Sequence, residues 1–335
     1  MSVKLNSDVQ TSIWSSISAW DIWLYKIIVQ CAVVLLLGVF GIFGNIITII
    51  ILSKHGLNKT TNIFLLSLSF CDCLNSTLSF IKSMKYIISL VGPLVEYYYT
   101  IVEALAFQAS DISTMLSILH VTAISIERMV AVSFPFQVSK IFTAFRVRWV
   151  LVFLYVYTFA SYIPAFCFQS LSYKFSAKFN STVLKWTYSD VMLSHGQDFR
   201  IYLAIYLVTA LIVFPLTVTI ISTFIIILHV QFLKSKTLSK KASTKIKDRK
   251  IVRMLLVHCF LAMLVFIPSS IIDMCGLYFD LTNTLYLYQL LTYITPALYQ
   301  LNASINFVIY ITMSSKFANT YRSLFKLSEK HSKLL

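Results

Sequence analysis

ISIERMVAVSFPF, residues 124–136, sets a carboxylate beside a guanidinium, Glu127 next to Arg128, and then turns at Pro135 and Phe136. The run before this pair, Tyr97–Ile126, is apolar except for Glu103 and Asp111. About 20 mainly apolar residues are enough to cross a bilayer, and an ionised group inside hydrocarbon is costly. The spacing therefore predicts a membrane-spanning helix whose end, at a water-facing surface, carries Glu127 and Arg128.

Composition points to the same solvent. Of 335 residues, 58% are hydrophobic and 12% charged, against roughly a quarter charged in soluble domains. Working outward from 97–126, six further runs reach spanning length: 27–53, 61–81, 149–173, 201–233, 254–277 and 281–315. Asp72 is the sole charge in the second and Asp273 the sole charge in the sixth. The chain thus reads as an all-α membrane protein, a bundle of seven transmembrane helices over residues 27–313. Residues 1–26 precede it, and Trp14, Trp20 and Trp23 suit an interfacial belt. Residues 314–335 follow it. There Phe317, Tyr321, Leu324 and Phe325 recur at helical spacing among Lys316, Arg322 and Lys326, which predicts a short amphipathic helix on the membrane surface. A loop of 27 residues, 173–199, is expected between the fourth and fifth spans.

Twenty of the 28 Lys and Arg fall on one side of this map, nine of them in the segment 234–253. Basic loops stay in the cytoplasm, so the N-terminus is expected outside and the C-terminus inside, in the plasma membrane. The net charge of +15 is then topology and attraction to anionic lipid, not a nucleic-acid footprint. Of the four Asn-x-Ser/Thr sites, only Asn180 falls in an outer loop, where it can receive a glycan. The six Cys show no metal-ligand spacing, and no nucleophile–base motif, zinc-helix motif or phosphate loop is present. An enzyme is not expected, and neither is a cofactor.

The polar residues inside the spans carry more. Asp72 lies at mid-membrane depth, Ser117 eleven residues before Arg128, and Asn302, Asn306 and Tyr310 on the seventh span. A lone carboxylate at that depth needs partners. The oxygens of Asp72, Ser117, Asn302 and Asn306 would suit a sodium ion, or hydrogen bonds to a protonated Asp72.

In order and on the right spans, Gly44-Asn45, LSLSFCD ending at Asp72, Glu127-Arg128-Met129, Trp149, Pro215, Pro268 and NFVIY ending at Tyr310 resemble the rhodopsin-like (class A) G-protein-coupled receptors. The resemblance covers nearly the whole chain. It implies a receptor that turns binding of an extracellular ligand into heterotrimeric G-protein activation. It assigns Glu127 to restraining Arg128, Asp248 on the sixth helix to an inner lock on the same Arg, Phe136 to contact with the G protein, and Tyr310 to the switch. The departures are Glu103 at the usual third-helix Cys, Phe266 for Trp, Met129 and Thr223 for Tyr, and Phe307 for Pro. They imply that the usual outer disulfide is missing and that Cys167 is unpaired. The combination is most similar to invertebrate chemosensory or peptide-type receptors.

Candidate ligand contacts in the outer half are Asp111, Ser113 and Thr114 on the third span, Asp273 on the sixth, and Tyr293 and Gln300 on the seventh. The ligand is a small molecule or a peptide, with a chemosensory cue preferred over a neuropeptide. A transporter or channel is the other class, and it predicts repeated halves or broken helices, which the seven spans do not show.

Overall fold

The computed structural model describes all residues except 1–23, 26, 85–92, 168, 177–179, 237–241, 280–285 and 333–335. The N-terminal segment 1–26 thus lies almost wholly outside the described residues.

Helix α1 (Ile28–His55) opens with a π-helical stretch, Ile28–Val34, and stops at Gly56, whose φ of +81° strains any residue with a Cβ. Helix α2 is Thr60–Ser83. Helix α3, Pro93–Ser133, has 41 residues and so is roughly 60 Å long, well beyond the hydrocarbon thickness. Helix α4 is Ala144–Cys167. Helix α5 joins a π-helical Tyr202–Val213 to Phe214–Lys236, with Pro215 at the join. Helices α6 (Ala242–Phe279) and α7 (Tyr286–Met313) follow. Helix α8 (Ser315–Ser332) comes last, its apolar Phe317 buried against α1, α2 and α7 while Lys316 and Arg322 stay exposed. The Phe325 side chain lies outside the described residues.

Together α1–α7 form a seven-helix bundle. Among the described residues, five helices are long and apolar enough to cross a membrane: Ile28–His55, Thr60–Ser83, Tyr97–Ser133, Ala144–Cys167 and Tyr206–His229. The apolar stretch of α6 is Leu256–Ile272, and α7 packs against α1, α2 and α6. Helix α3 touches α2, α4, α5 and α6 and is the spine of the bundle. The large side chains left exposed are overwhelmingly Leu, Ile, Val and Phe, such as Leu36, Phe43, Leu105, Phe153 and Phe224. Polar residues are buried instead, an inversion that lipid enforces.

Two stretches depart from the expected map. The fourth helix ends at Cys167 rather than at 173, and the expected loop holds an antiparallel hairpin. Strands β1 (Gln169–Ser176) and β2 (Ser181–Tyr188) pair from Gln169↔Tyr188 to Ser176↔Ser181, and β2 lies against α3. Serine and lysine alternate with Leu, Tyr and Phe along 170–175, a two-residue period that suits a strand. The sixth helix also begins a dozen residues earlier than its apolar run, because the basic segment from Ala242 onward continues the same helix.

Candidate functional site

Helices α2, α3 and α7 bring Asp72, Ser117 and Asn306 together. Asp72 is completely buried. Ser117 Oγ donates to its Oδ1 at 2.6 Å, and Asn306 Nδ2 donates to its Oδ2 at 2.6 Å. Asn306 Oδ1 is buried without a hydrogen-bond partner. Asn302 is buried one turn earlier on α7, while both carboxylate oxygens of Asp72 are taken by the other two residues. On α6, His258 faces the Asn306 side chain, its Nε2 outside normal hydrogen-bond geometry. Interhelical hydrogen bonds in membranes average about 0.6 kcal/mol and reach about 1.7 kcal/mol, so this cluster is a real tie between three helices.

A second cluster lies on the α1 side. Gln300 is fully buried, its Nε2 2.9 Å from Ser76 Oγ, and Ser304 Oγ donates to the Leu37 carbonyl at 2.7 Å. A Cβ on Gly41 would run into Ser76 Oγ and come within 2.8 Å of Ser304 Oγ. Gly41 therefore lets α1 approach this cluster, as small residues do in membrane bundles. Asn45 Nδ2 donates to the Ala303 carbonyl at 2.8 Å and ties α1 to α7 a turn further along. Phe307, which stands where the resembled motif has Pro, lies so close to α1 that a Cβ on Gly44 would be 2.9 Å from its Cβ. Its ring also meets Phe317 and Tyr321 of α8, with centroids at 6.1 and 5.8 Å.

At the basic end of the bundle, Arg128 Nε stands 2.8 Å from Glu127 Oε2, too bent for a hydrogen bond but close enough for an ion pair. Arg128 Nη2 donates to Glu127 Oε1 at 3.2 Å. The same oxygen accepts from Thr60 Oγ1 at 2.8 Å and from Thr61 Oγ1 at 3.3 Å. Glu127 is thus held by the first turn of α2 as well as by its neighbour. Asp248 lies on α6, but its side chain is outside the described residues. Tyr310 is buried, its hydroxyl without a partner and its ring 5.8 Å from that of Phe317. Beyond the end of α3, Phe136 is 91% exposed, the opposite of what burial of an aromatic ring would favour.

Toward the other end, Thr114 Oγ1 contacts Asn75 Oδ1 at 3.4 Å, and Ser110 Oγ donates to the same oxygen at 3.1 Å. Lys82 Nζ donates to Ser110 Oγ at 3.0 Å and sits 5.4 Å from the Phe107 ring centroid, within the field of Asp111 and Glu103. The structure brings Asp111 and Thr114 to one face of this network. It does not bring Gln300 there, whose partners lie on α1 and α2. The Asp273 side chain is outside the described residues. Asn180, with φ 45°, sits exposed at the hairpin turn; Asn tolerates that conformation better than most residues. Cys167 is free and exposed at the end of α4.

Sequence reasoning missed Thr60, Lys82 and His120. His120 on α3 contacts Ser67 Oγ at 2.8 Å, and Ser67 contacts the Tyr155 hydroxyl at 3.0 Å, which links α2, α3 and α4. A histidine inside an apolar run was the available signal for the last of these.

Residues 44–310 match the profile of the 7 transmembrane receptor (rhodopsin family). The chain belongs to the rhodopsin family of seven-transmembrane receptors. Among its relatives, the FMRFamide receptor of Drosophila melanogaster is 24% identical over 312 residues, 91% of this chain and 54% of that protein. The growth hormone secretagogue receptor type 1 of Rattus norvegicus and that of Homo sapiens are each 30% identical over 132 residues, 38% of this chain and 34% of theirs. This rhodopsin-family chain therefore spans about half the length of the FMRFamide receptor it resembles over most of its own length.

Proposed function

We propose that this receptor sits in the plasma membrane with its N-terminus outside and converts binding of a peptide ligand into activation of a heterotrimeric G protein. The observation that carries the reading is the pairing of buried Glu127 with partly exposed Arg128 at the basic end of α3, followed in the chain by the exposed Phe136. A restrained guanidinium and an unsheltered aromatic at one bundle mouth suit a docking surface that opens when the restraint breaks. The distribution of Lys and Arg supports placing that mouth in the cytoplasm. Asp248 is the second acid of the restraint. A peptide rather than a chemosensory cue is favoured by the FMRFamide receptor, named for an amidated peptide. Among the described residues β1 and β2 pair only with each other, which leaves strand edges to which an extended peptide can add. Asp111 and Thr114 are the ligand contacts within the bundle, and Asn180 carries the glycan.

The Asp72 cluster is proposed to take an allosteric sodium ion. Two carboxylate oxygens, the Ser117 hydroxyl and the orphaned Asn306 oxygen are the hard donors such a cation selects. Bound there, the ion would supply positive charge to a buried carboxylate.

The test is expression in cells with a promiscuous G protein and a library of amidated peptides, read as calcium release. Arg128→Ala at matched surface level is the uncoupled control. A response that survives Arg128→Ala, or solute flux without G-protein activation, would overturn the reading.

A further inference from the structure

At the end of the bundle opposite Arg128, the last turn of α2 carries Lys82, and the facing stretch of α3 carries Glu103, Phe107, Ser110 and Asp111. A lysine at the end of a span commonly runs outward along the apolar surface to the headgroups. Lys82 turns inward instead. Its Nζ donates to Ser110 Oγ at 3.0 Å and lies 5.4 Å from the Phe107 ring centroid. Ser110 spends its own hydrogen on Asn75 Oδ1 at 3.1 Å, so toward Lys82 the hydroxyl is an acceptor. That uses one of the three N–H groups of the ammonium. Asp111 and Glu103 are the charged neighbours of Lys82, yet among the described residues neither carboxylate reaches ion-pair distance of Nζ. Asp111 accepts no hydrogen bond among the described residues; its charged neighbour is Lys82. Phe107 is exposed although it stands about 200° round α3 from the exposed, lipid-side Leu105. Its exposure therefore opens into the bundle. A donor-only ammonium and an acceptor-only carboxylate thus border one opening, each with unused capacity and too far apart to satisfy the other. Ionisable groups left in that state inside a span mark a functional site.

We propose that this opening holds a primary carboxamide, the amidated C-terminus of the ligand, with its carbonyl oxygen accepting from Lys82 and its NH2 donating to Asp111. The inference rests on the peptide-receptor reading above and names which part of the peptide binds between α2 and α3. A carboxamide carries one acceptor oxygen and two donor hydrogens without net charge, which is the complement of a separated ammonium and carboxylate. A free carboxylate would accept from Lys82 but meet the like charges of Asp111 and Glu103. An ammonium would reach Asp111 but meet Lys82. Like charges set side by side reject the wrong partner more than they help the right one. The Phe107 ring, open to the same space, supplies an apolar wall for the residue that bears the amide.

The test uses the full chain in phosphatidylcholine nanodiscs and three probes at millimolar concentrations: N-acetylphenylalanine amide, the free acid N-acetylphenylalanine, and phenethylamine. Binding is read from the thermal midpoint and from saturation-transfer NMR. The amide should bind about tenfold tighter than the acid or the amine, the size of one hydrogen bond to a charged group. Lys82→Met, which keeps the apolar stem, should weaken the amide about tenfold. Asp111→Asn removes the charge that repels a carboxylate, so the acid should gain and come within about twofold of the amide. An aspartate with a merely structural role would weaken both probes alike. Asp198→Asn, at an exposed carboxylate paired with His195, should leave all three unchanged. N-acetylglutamine methylamide offers the same group on a side chain; binding equal to the amide probe supports the carboxamide site and extends it to glutamine side chains. An acid that binds as well as the amide, no binding by either, or parallel losses of both in Asp111→Asn overturn the proposal. The peptide-receptor reading is scored apart, in the G-protein assay. There, peptides that activate equally with and without the amide would keep that reading and sink this site.

Discussion

Thr60→Val should raise ligand-independent signalling. The substitution keeps the shape of the side chain and removes one hydroxyl, the one that donates to Glu127 Oε1 at 2.8 Å. Hydrogen bonds to a charged group contribute about 1.5–3 kcal/mol. Thr61 at 3.3 Å and Arg128 Nη2 at 3.2 Å stay on the same oxygen, so the loss should lie near the lower figure. If the bond is made only in the resting arrangement, about 1.5 kcal/mol moves the two-state ratio roughly tenfold. The assay is nucleotide exchange on a heterotrimeric G protein in membranes at matched surface expression, without agonist. Thr60→Ser keeps the donor and should behave as the unmodified receptor. Placed on Glu127→Gln, Thr60→Val should add little, since the two changes break one interaction. Basal exchange at the unmodified level in Thr60→Val, with Glu127→Gln raised, would refute the idea that α2 restrains Glu127.

Gly44→Ala drives a Cβ to 2.9 Å from Phe307 Cβ, and overpacking of this kind costs about 1–3 kcal/mol. The thermal midpoint of the purified receptor should fall, and Phe307→Ala should not restore it, since alanine keeps the Cβ in the close contact. Asp72→Asn removes the one charge of the α2–α3–α7 cluster, so any sodium dependence of agonist affinity should vanish; an unchanged sodium response assigns the ion elsewhere. Cys167→Ser should reach the cell surface at near-normal levels, because Cys167 is free and its Sγ donates to the Ile163 carbonyl one turn back, at 3.7 Å. Severe retention of that variant in the cell would reveal a disulfide.

Hydropathy made the seven helices legible because lipid admits few charges, so each span announces itself by what it lacks. The same rule exposed Asp72, whose burial in an apolar run demanded partners, and Ser117 and Asn306 were found from depth alone. Rotation about each helix axis was not legible. Gln300 and Asn302 sit at comparable depth on α7 to candidate partners, yet Gln300 turns to Ser76 and α1 instead of toward Asp111. Thr60 was invisible as a partner of Glu127 because its role depends on how the first turn of α2 meets the end of α3. The hairpin at 169–188 was hidden for another reason: its apolar residues extended the fourth run past Cys167, and alternation over eight residues is a weak signal beside a span.

Polar ties are unevenly shared among the helices, and that unevenness locates the motion. Helix α1 is tied to α7 through Asn45, α2 to α3 and α7 through Asp72, and α3 to α5 through Thr122, whose hydroxyl meets the Pro215 carbonyl at 3.1 Å. On α6 the described serines turn inward on themselves: Ser269 donates to the Val265 carbonyl at 2.9 Å and Ser270 to that of Phe266 at 2.6 Å. Its buried Cys259, Ala262, Val265 and Phe266 hold it by packing, with Phe266 tilted on Tyr299 at 5.6 Å. Packing is a weak tie where lipid tails are as apolar as the partner helix. Pro268 inside α6 removes a backbone hydrogen bond and supplies a bend. Judged by its described side chains, α6 is the element we expect to move, and His258 facing Asn306 is its joint with the polar core, beside Cys259 facing Thr223 of α5. The Thr60–Glu127 bond lies wholly on the fixed side of that joint. Cutting it loosens Glu127, and with it the hold on Arg128, without moving α6, which is why Thr60→Val should shift the balance tenfold rather than switch the receptor fully on.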